Sequence, residues 1–170
     1  MKKFWLCAMV LLAVPVFLVS CESKKKTPAA SSAKIIEPAM LLSKEDAKAL
    51  TGVDFGECQV EERCVVGQKL CVYDKGNSFL QVGLSQIAFM DKKTLDSGST
   101  PESIYTTTKE AFTGAASIAG IGDDNFLAPP GLHILRNGYY ITISLGMAGD
   151  KEKLKAAGLK AVENLDKLKE

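Results

Sequence analysis

The side chains that could do chemistry in this 170-residue chain are few, and their spacing excludes more than it offers. The single histidine, His133, stands inside the apolar run Leu132-His133-Ile134-Leu135 with no serine or cysteine nucleophile motif beside it. A strand position of that kind predicts a structural imidazole and not a triad base. Gly120-Ile121-Gly122-Asp123-Asp124-Asn125 begins like a phosphate-binding loop, but it lacks the third glycine and leads into a strand, not into a helix N-terminus that could hold an anion. Asp123, Asp124 and Asn125 have calcium-binding chemistry without the rest of an EF-hand pattern, so a turn is expected there. Glu61 and Glu62 are adjacent and would point to opposite faces of a strand, which is wrong for paired-carboxylate catalysis. Cys58-x5-Cys64-x6-Cys71 fits no common zinc spacing, and His133 is far along the chain. The expectation is no catalytic residue, no metal, no cofactor and no enzyme.

The elements that would carry these residues are legible in the local pattern. Ser43-Lys44-Glu45-Asp46 opens a short helix, with Ser43 as N-cap and an acid three residues on, that runs to Gly52. Strand-type segments follow at Gln59–Val66, Lys69–Tyr73 and Phe79–Phe89. Gly67-Gln68 is read as a tight hairpin turn and Asp74–Asn77 as a second one. Thr100-Pro101-Glu102 starts another helix, placing Ile104, Tyr105, Thr108 and Phe112 at helical spacing. Three more strands are expected at 125–128, 132–136 and 139–145, the last two joined by Asn137-Gly138, the strongest short hairpin signal in the chain. Asp150 caps a terminal helix whose Leu154, Ala157, Ala161, Leu165 and Leu168 form one stripe. Tight hairpins force antiparallel pairing. The fold class is therefore α+β, an antiparallel sheet built from two three-stranded groups with helices packed on it. The aromatic residues Tyr73, Phe79, Phe89, Tyr105, Phe112, Phe126, Tyr139 and Tyr140 read as core and cross-strand pairs.

The N-terminus has a different physics. Met1-Lys2-Lys3 is a short positive stretch, and Phe4–Val19 is an uncharged apolar run of 16 residues. That falls short of the roughly 20 needed to span a bilayer, so it reads as the hydrophobic region of a signal peptide. The run ends in Leu18-Val19-Ser20-Cys21, which resembles the lipobox of bacterial lipoproteins. The resemblance implies cleavage before Cys21 and lipid on its thiol, with acyl chains that hold the mature protein to a membrane. It divides the chain into a signal peptide at 1–20, a lipidated flexible linker at 21–38 rich in Lys, Ser, Ala and Pro, and a single globular domain at 39–170. Glu22 is not the aspartate of an inner-membrane retention signal, so the outer membrane facing the periplasm is expected if the organism is Gram-negative. Lys24, Lys25 and Lys26 would lie beside the lipid, where basic residues gain from an anionic surface.

Charge adds little. The chain has 21 basic and 20 acidic residues; loss of Lys2 and Lys3 with the signal leaves 19 against 20. No basic stripe points to nucleic acid.

Leu41-Leu42 with Ala47, Leu50 and Gly52, then Cys71-Val72-Tyr73, then Ala119-Gly120-Ile121-Gly122-Asp123 and the 132–145 hairpin resemble a family of small bacterial lipoproteins known only as a domain of unknown function. The likeness spans about residues 40–168. Some such lipoproteins are similar to the PsbP-like fold, an antiparallel sheet flanked by helices. Many members carry a cysteine just before the double leucine, where this chain has Ala39-Met40, so their disulfide does not transfer. Export implies an oxidising compartment and at least one disulfide among Cys58, Cys64 and Cys71. A turn centred on Gly67-Gln68 puts Cys64 opposite Cys71, which favours that pair; Cys58–Cys71 is the rival. The function expected is a non-enzymatic binding or accessory domain at the cell envelope, meeting a protein partner or a small apolar ligand in a groove with Pro129 and Pro130 at its rim. The alternative is a structural subunit of an envelope complex, using an edge strand or a Tyr139-Tyr140 surface.

Overall fold

The computed structural model describes residues 34–146 and 150–169. The expected signal peptide, Cys21 and the linker up to residue 33 lie outside them. Among the described residues four α-helices form, α1 (Lys44–Thr51), α2 (Lys92–Asp96), α3 (Pro101–Ala111) and α4 (Lys151–Lys167). Six strands, β1 (Gln59–Arg63), β2 (Gln68–Lys75), β3 (Ser78–Ser85), β4 (Asp124–Ala128), β5 (Gly131–Arg136) and β6 (Tyr139–Leu145), join in one sheet of order β1-β2-β3-β6-β5-β4, antiparallel throughout. The two three-stranded groups meet along the β3–β6 seam, so the expected α+β class is what the chain adopts.

Local chemistry explains where most elements begin. Ser43 accepts from the Asp46 amide at 3.1 Å and the Asp46 carboxylate returns a bond to the Ser43 amide, a complete capping box on α1. Thr100 and Ser103 do the same for α3, with Pro101 at its first position. Asp150 caps α4 through the amides of Glu152 and Lys153. Asn137 and Gly138 both take positive φ, 51° and 75°, as the tight β5–β6 turn requires.

Alternation along the strands then decides the layers. Ile141, Ile143 and Leu145 of β6, with Leu132, Ile134, Leu80, Val82 and Leu84, face α1 and α4 in the main core. Tyr140, one residue out of phase with Ile141, faces the other side and packs with Phe126 and with Tyr105 of α3. Helices therefore cover both faces of the sheet, and α1 and α3 do not occupy equivalent places in the two halves.

Several expectations need correction. The Gly67-Gln68 hairpin is not formed. A 3-10 turn at Cys64–Val66 and Gly67 make a longer loop, and Gln68 is already in β2. Gly67 takes φ 62° in a buried spot where a Cβ would fall 2.6 Å from the Gln86 carbonyl oxygen, so the loop tucks under the segment after β3. That segment leaves the strand at Ser85 and makes a 3-10 turn at Ile87–Phe89, where a strand as far as Phe89 was expected. The linker boundary at Pro38 is too late, because Ile36 and Pro38 are buried in the fold. Leu168 falls just past α4 and is exposed.

Candidate functional site

The leading segment is fastened at four places. The Ile36 amide donates to the Gln86 side-chain oxygen at 2.9 Å, and the Gln86 amide nitrogen donates to the Ile36 carbonyl at 2.7 Å. Gln86 is 1% exposed, so this pair satisfies a buried amide with a backbone that no strand pairs. Glu37 forms an ion pair with Lys69, which also reaches Glu62 at 3.1 Å and lies 5.1 Å from the centre of the Phe89 ring. Burial works against the Lys69 charge, but the two carboxylates hold its ammonium above the usual lysine range. Farther along, Asn164 of α4 donates to the Leu41 carbonyl and Tyr73 of β2 to the Leu42 carbonyl, both at 2.9 Å. The chain thus enters the domain at one fixed pole, the end of the sheet that carries Ser85, Tyr139 and Gln68.

A depression of about 260 Å³ lies at that pole, lined by Lys34, Ile36, Met40, Tyr139, Leu168 and Lys169. The Lys169 ammonium sits 5.2 Å from the Tyr139 ring centre, a cation–π distance. Tyr140 is buried, so the expected Tyr139-Tyr140 surface is not formed. At the opposite end of the sheet a second depression of about 370 Å³ is walled by Thr51 and Val53 after α1, the Asn77–Phe79 turn, Leu145, and Asp150 and Lys153 of α4.

The proline loop provides less than expected. Pro129 lines an open depression of about 250 Å³ with Phe112 and Leu127, but Pro130 does not; its carbonyl accepts from the Ser144 hydroxyl at 2.9 Å. Only one of the two rim residues therefore reaches the groove.

The Cys64–Cys71 pairing is also corrected. The disulfide joins Cys58 to Cys71, with Cα atoms 5.5 Å apart. The longer loop shifts the β1–β2 register by four residues, so Val60 lies opposite Cys71 and Cys64 opens the 3-10 turn. Cys58, immediately before β1, is then within reach on the core-facing side.

His133 lies on the α3 face, 4% exposed. Its ring stacks on Phe126 at 4.5 Å between centres, its Nδ1 is 2.6 Å from the Tyr140 hydroxyl, and its Nε2 is 3.3 Å from the Ala128 carbonyl. The consistent tautomer has Nε2–H donating to the carbonyl and Nδ1 accepting from the tyrosine. Burial lowers the imidazole pKa and raises that of Tyr140. Both ring nitrogens are engaged, and the side chain is part of the packing. Beside it the Tyr105 hydroxyl is buried without a hydrogen bond of good geometry. Burial first, and the nearby Asp124 carboxylate second, push its pKa far up.

The Gly120–Asn125 segment is held as a turn. Asn125 bonds the backbone of Ile118 and Ile121, while Asp123 accepts from Arg136 and from the Asn137 amide. Arg136 is bidentate to Asp166 of α4, at 3.0 and 2.7 Å, which ties the β5–β6 turn to that helix. Among the described residues no three His, Cys, Asp or Glu side chains form a group that could hold a metal, and no helix is long and apolar enough to cross a membrane. No family model matches the chain, and no curated protein or solved structure is a match for it.

Proposed function

We propose that this chain is an exported lipoprotein, cut before Cys21 and held to a membrane by lipid on that thiol, whose folded domain is a non-enzymatic binding or accessory module of the cell envelope. The observation that carries the reading is Leu18-Val19-Ser20-Cys21 at the end of an uncharged apolar run. The Cys58–Cys71 disulfide, which suits an oxidising compartment, supports it. The engagement of both His133 nitrogens within the packing argues against a catalytic imidazole. The depression bounded by Thr51, Phe79, Leu145 and Lys153 has the volume of a small-ligand pocket and, with a mixed polar and apolar lining, fits a small ligand better than the proline loop does. One experiment tests the anchor. The full chain and its Cys21→Ser variant are expressed in a Gram-negative host, fractionated and weighed intact. The expected result is wild type in the membrane fraction at the mass of the chain from Cys21 with added acyl chains, and the variant without any acyl mass. Wild type in the soluble fraction at bare polypeptide mass would overturn the reading.

A further inference from the structure

We propose that the pole at which the chain enters the domain docks directly onto the anionic phospholipid surface that holds the anchor. This rests on the lipid-anchored reading and goes beyond it, because an anchor alone leaves the domain free to face any way. Five of the eight exposed large hydrophobic side chains among the described residues, Ile35, Met40, Val65, Ile87 and Leu168, lie toward this pole, each between 37% and 59% exposed. They come from four separate stretches: the leading segment, the β1–β2 loop, the turn after β3 and the end of α4.

The chain outside the structure supplies the occupant. Cys21 lies thirteen residues before Lys34, a span of at most about 45 Å even when fully extended. Lys34 itself lines the depression at this pole, and the bonds of Ile36 to Gln86 and of Glu37 to Lys69 fix where the chain leaves it. A membrane holding Cys21 is therefore offered this end of the domain at the high effective concentration that a short connection imposes. The charge also fits. Lys34 and Lys169 line the depression with no carboxylate among its described lining residues, and Lys24, Lys25 and Lys26 follow the anchor in the chain. A bilayer surface accepts scattered apolar side chains without needing one continuous complementary groove; the two lysines lie beside Met40 and Leu168, while Glu37 and Glu62 at the same pole are paired with Lys69.

The chain's single tryptophan, Trp5, belongs to the signal segment, so a tryptophan placed in the domain is the only one in the processed protein. The test uses the processed, lipidated protein in vesicles of phosphatidylcholine and phosphatidylglycerol with brominated acyl chains. Met40→Trp is compared with Lys75→Trp, at the exposed end of β2 about 25 Å away at the other end of the sheet. The expected result is a blue shift and loss of emission at position 40, with position 75 unchanged. On the unlipidated Cys21→Ser chain, Lys34→Ala and Lys169→Ala should each lower partition onto the same vesicles by about fivefold. Protein that sediments with vesicles while position 40 stays unquenched, or partition indifferent to both lysines, overturns the docking and leaves the anchor standing. Protein that never sediments overturns both.

Discussion

Replacing Cys58 by serine is expected to destabilise the oxidised protein by about 3 kcal/mol, the chain-entropy value for a cross-link closing a short loop. The bond joins residues thirteen apart. Cys71 is fully buried in the main core, and a thiol left there still behaves as a small apolar group, so the loss is chiefly that of the cross-link. Urea unfolding followed by far-ultraviolet circular dichroism reads the effect as a shift in midpoint at constant slope, without needing a tryptophan. In reductant, wild type should fall to the level of the variant. Cys64→Ser, by contrast, leaves the Cys58–Cys71 cross-link in place, so the variant should keep the wild-type loss of stability on adding reductant. Tryptic digestion settles the pairing independently. Cleavage after Lys48, Arg63, Lys69 and Lys75 puts each of the three cysteines on its own peptide, and the expected linked pair is 49–63 with 70–75. The reasoning is refuted if 64–69 is found linked to 70–75, or if Cys64→Ser carries the loss and Cys58→Ser does not.

Gln86→Ala removes both bonds to the Ile36 backbone and should cost about 2 kcal/mol; hydrogen exchange should show the Ile36 amide losing protection while the β3 and β6 amides keep theirs. Gly131→Ala places a methyl group 2.1 Å from the Ile143 carbonyl oxygen, and a loss of about 2 kcal/mol or more is expected in urea unfolding. Tyr105→Phe deletes a buried hydroxyl that lies near the Asp124 carboxylate without a hydrogen bond of good geometry, so the variant should stay within about 1 kcal/mol of wild type in the same assay. The lowered pKa of His133 means that the fold favours the neutral ring: its contribution is fully present above the unfolded value of 6.5 and is lost as the pH falls from there toward the folded pKa. Urea midpoints measured across that window should fall with pH in wild type, and His133→Gln should lose that slope. As this is the chain's only histidine, a single imidazole proton signal reports the titration directly.

What could be read without coordinates was whatever depends on neighbours in the chain. Ser43 with Asp46, Pro101 after Thr100, Asp150 before α4, and Asn137-Gly138 all act within one turn of themselves, and each element begins or turns where they stand. Alternating apolar residues and tight turns were enough for the α+β class. The short α2 was missed, because five residues hold too little periodicity to register. The cysteine pairing failed for a physical reason. A hairpin register follows from its loop, and the Cys64–Gly67 loop is shaped by the close approach of Gly67 to Gln86, nineteen residues away, which no local pattern encodes.

The candidate site divides along the same line. The lipobox-like run Leu18–Cys21 is a local pattern, and so is the placing of His133 inside an apolar strand, where the structure buries it. The proline loop looked like a rim because Pro and Gly mark turns, but whether a turn borders a cavity depends on what lies across from it, and only Pro129 has Phe112 and Leu127 there. Leu168 fitted the apolar stripe of α4 by spacing, yet the helix ends before it and leaves it beside Met40 and Lys34. The sequence by itself determined most of the elements, their caps and the antiparallel pairing, because these rest on interactions a few residues apart. Only the tertiary structure decided which cysteines join, which faces the helices cover and which apolar side chains stay in water at the pole where the chain enters. Those outcomes depend on contacts between residues tens of positions apart, such as Ile36 with Gln86 and Leu41 with Asn164.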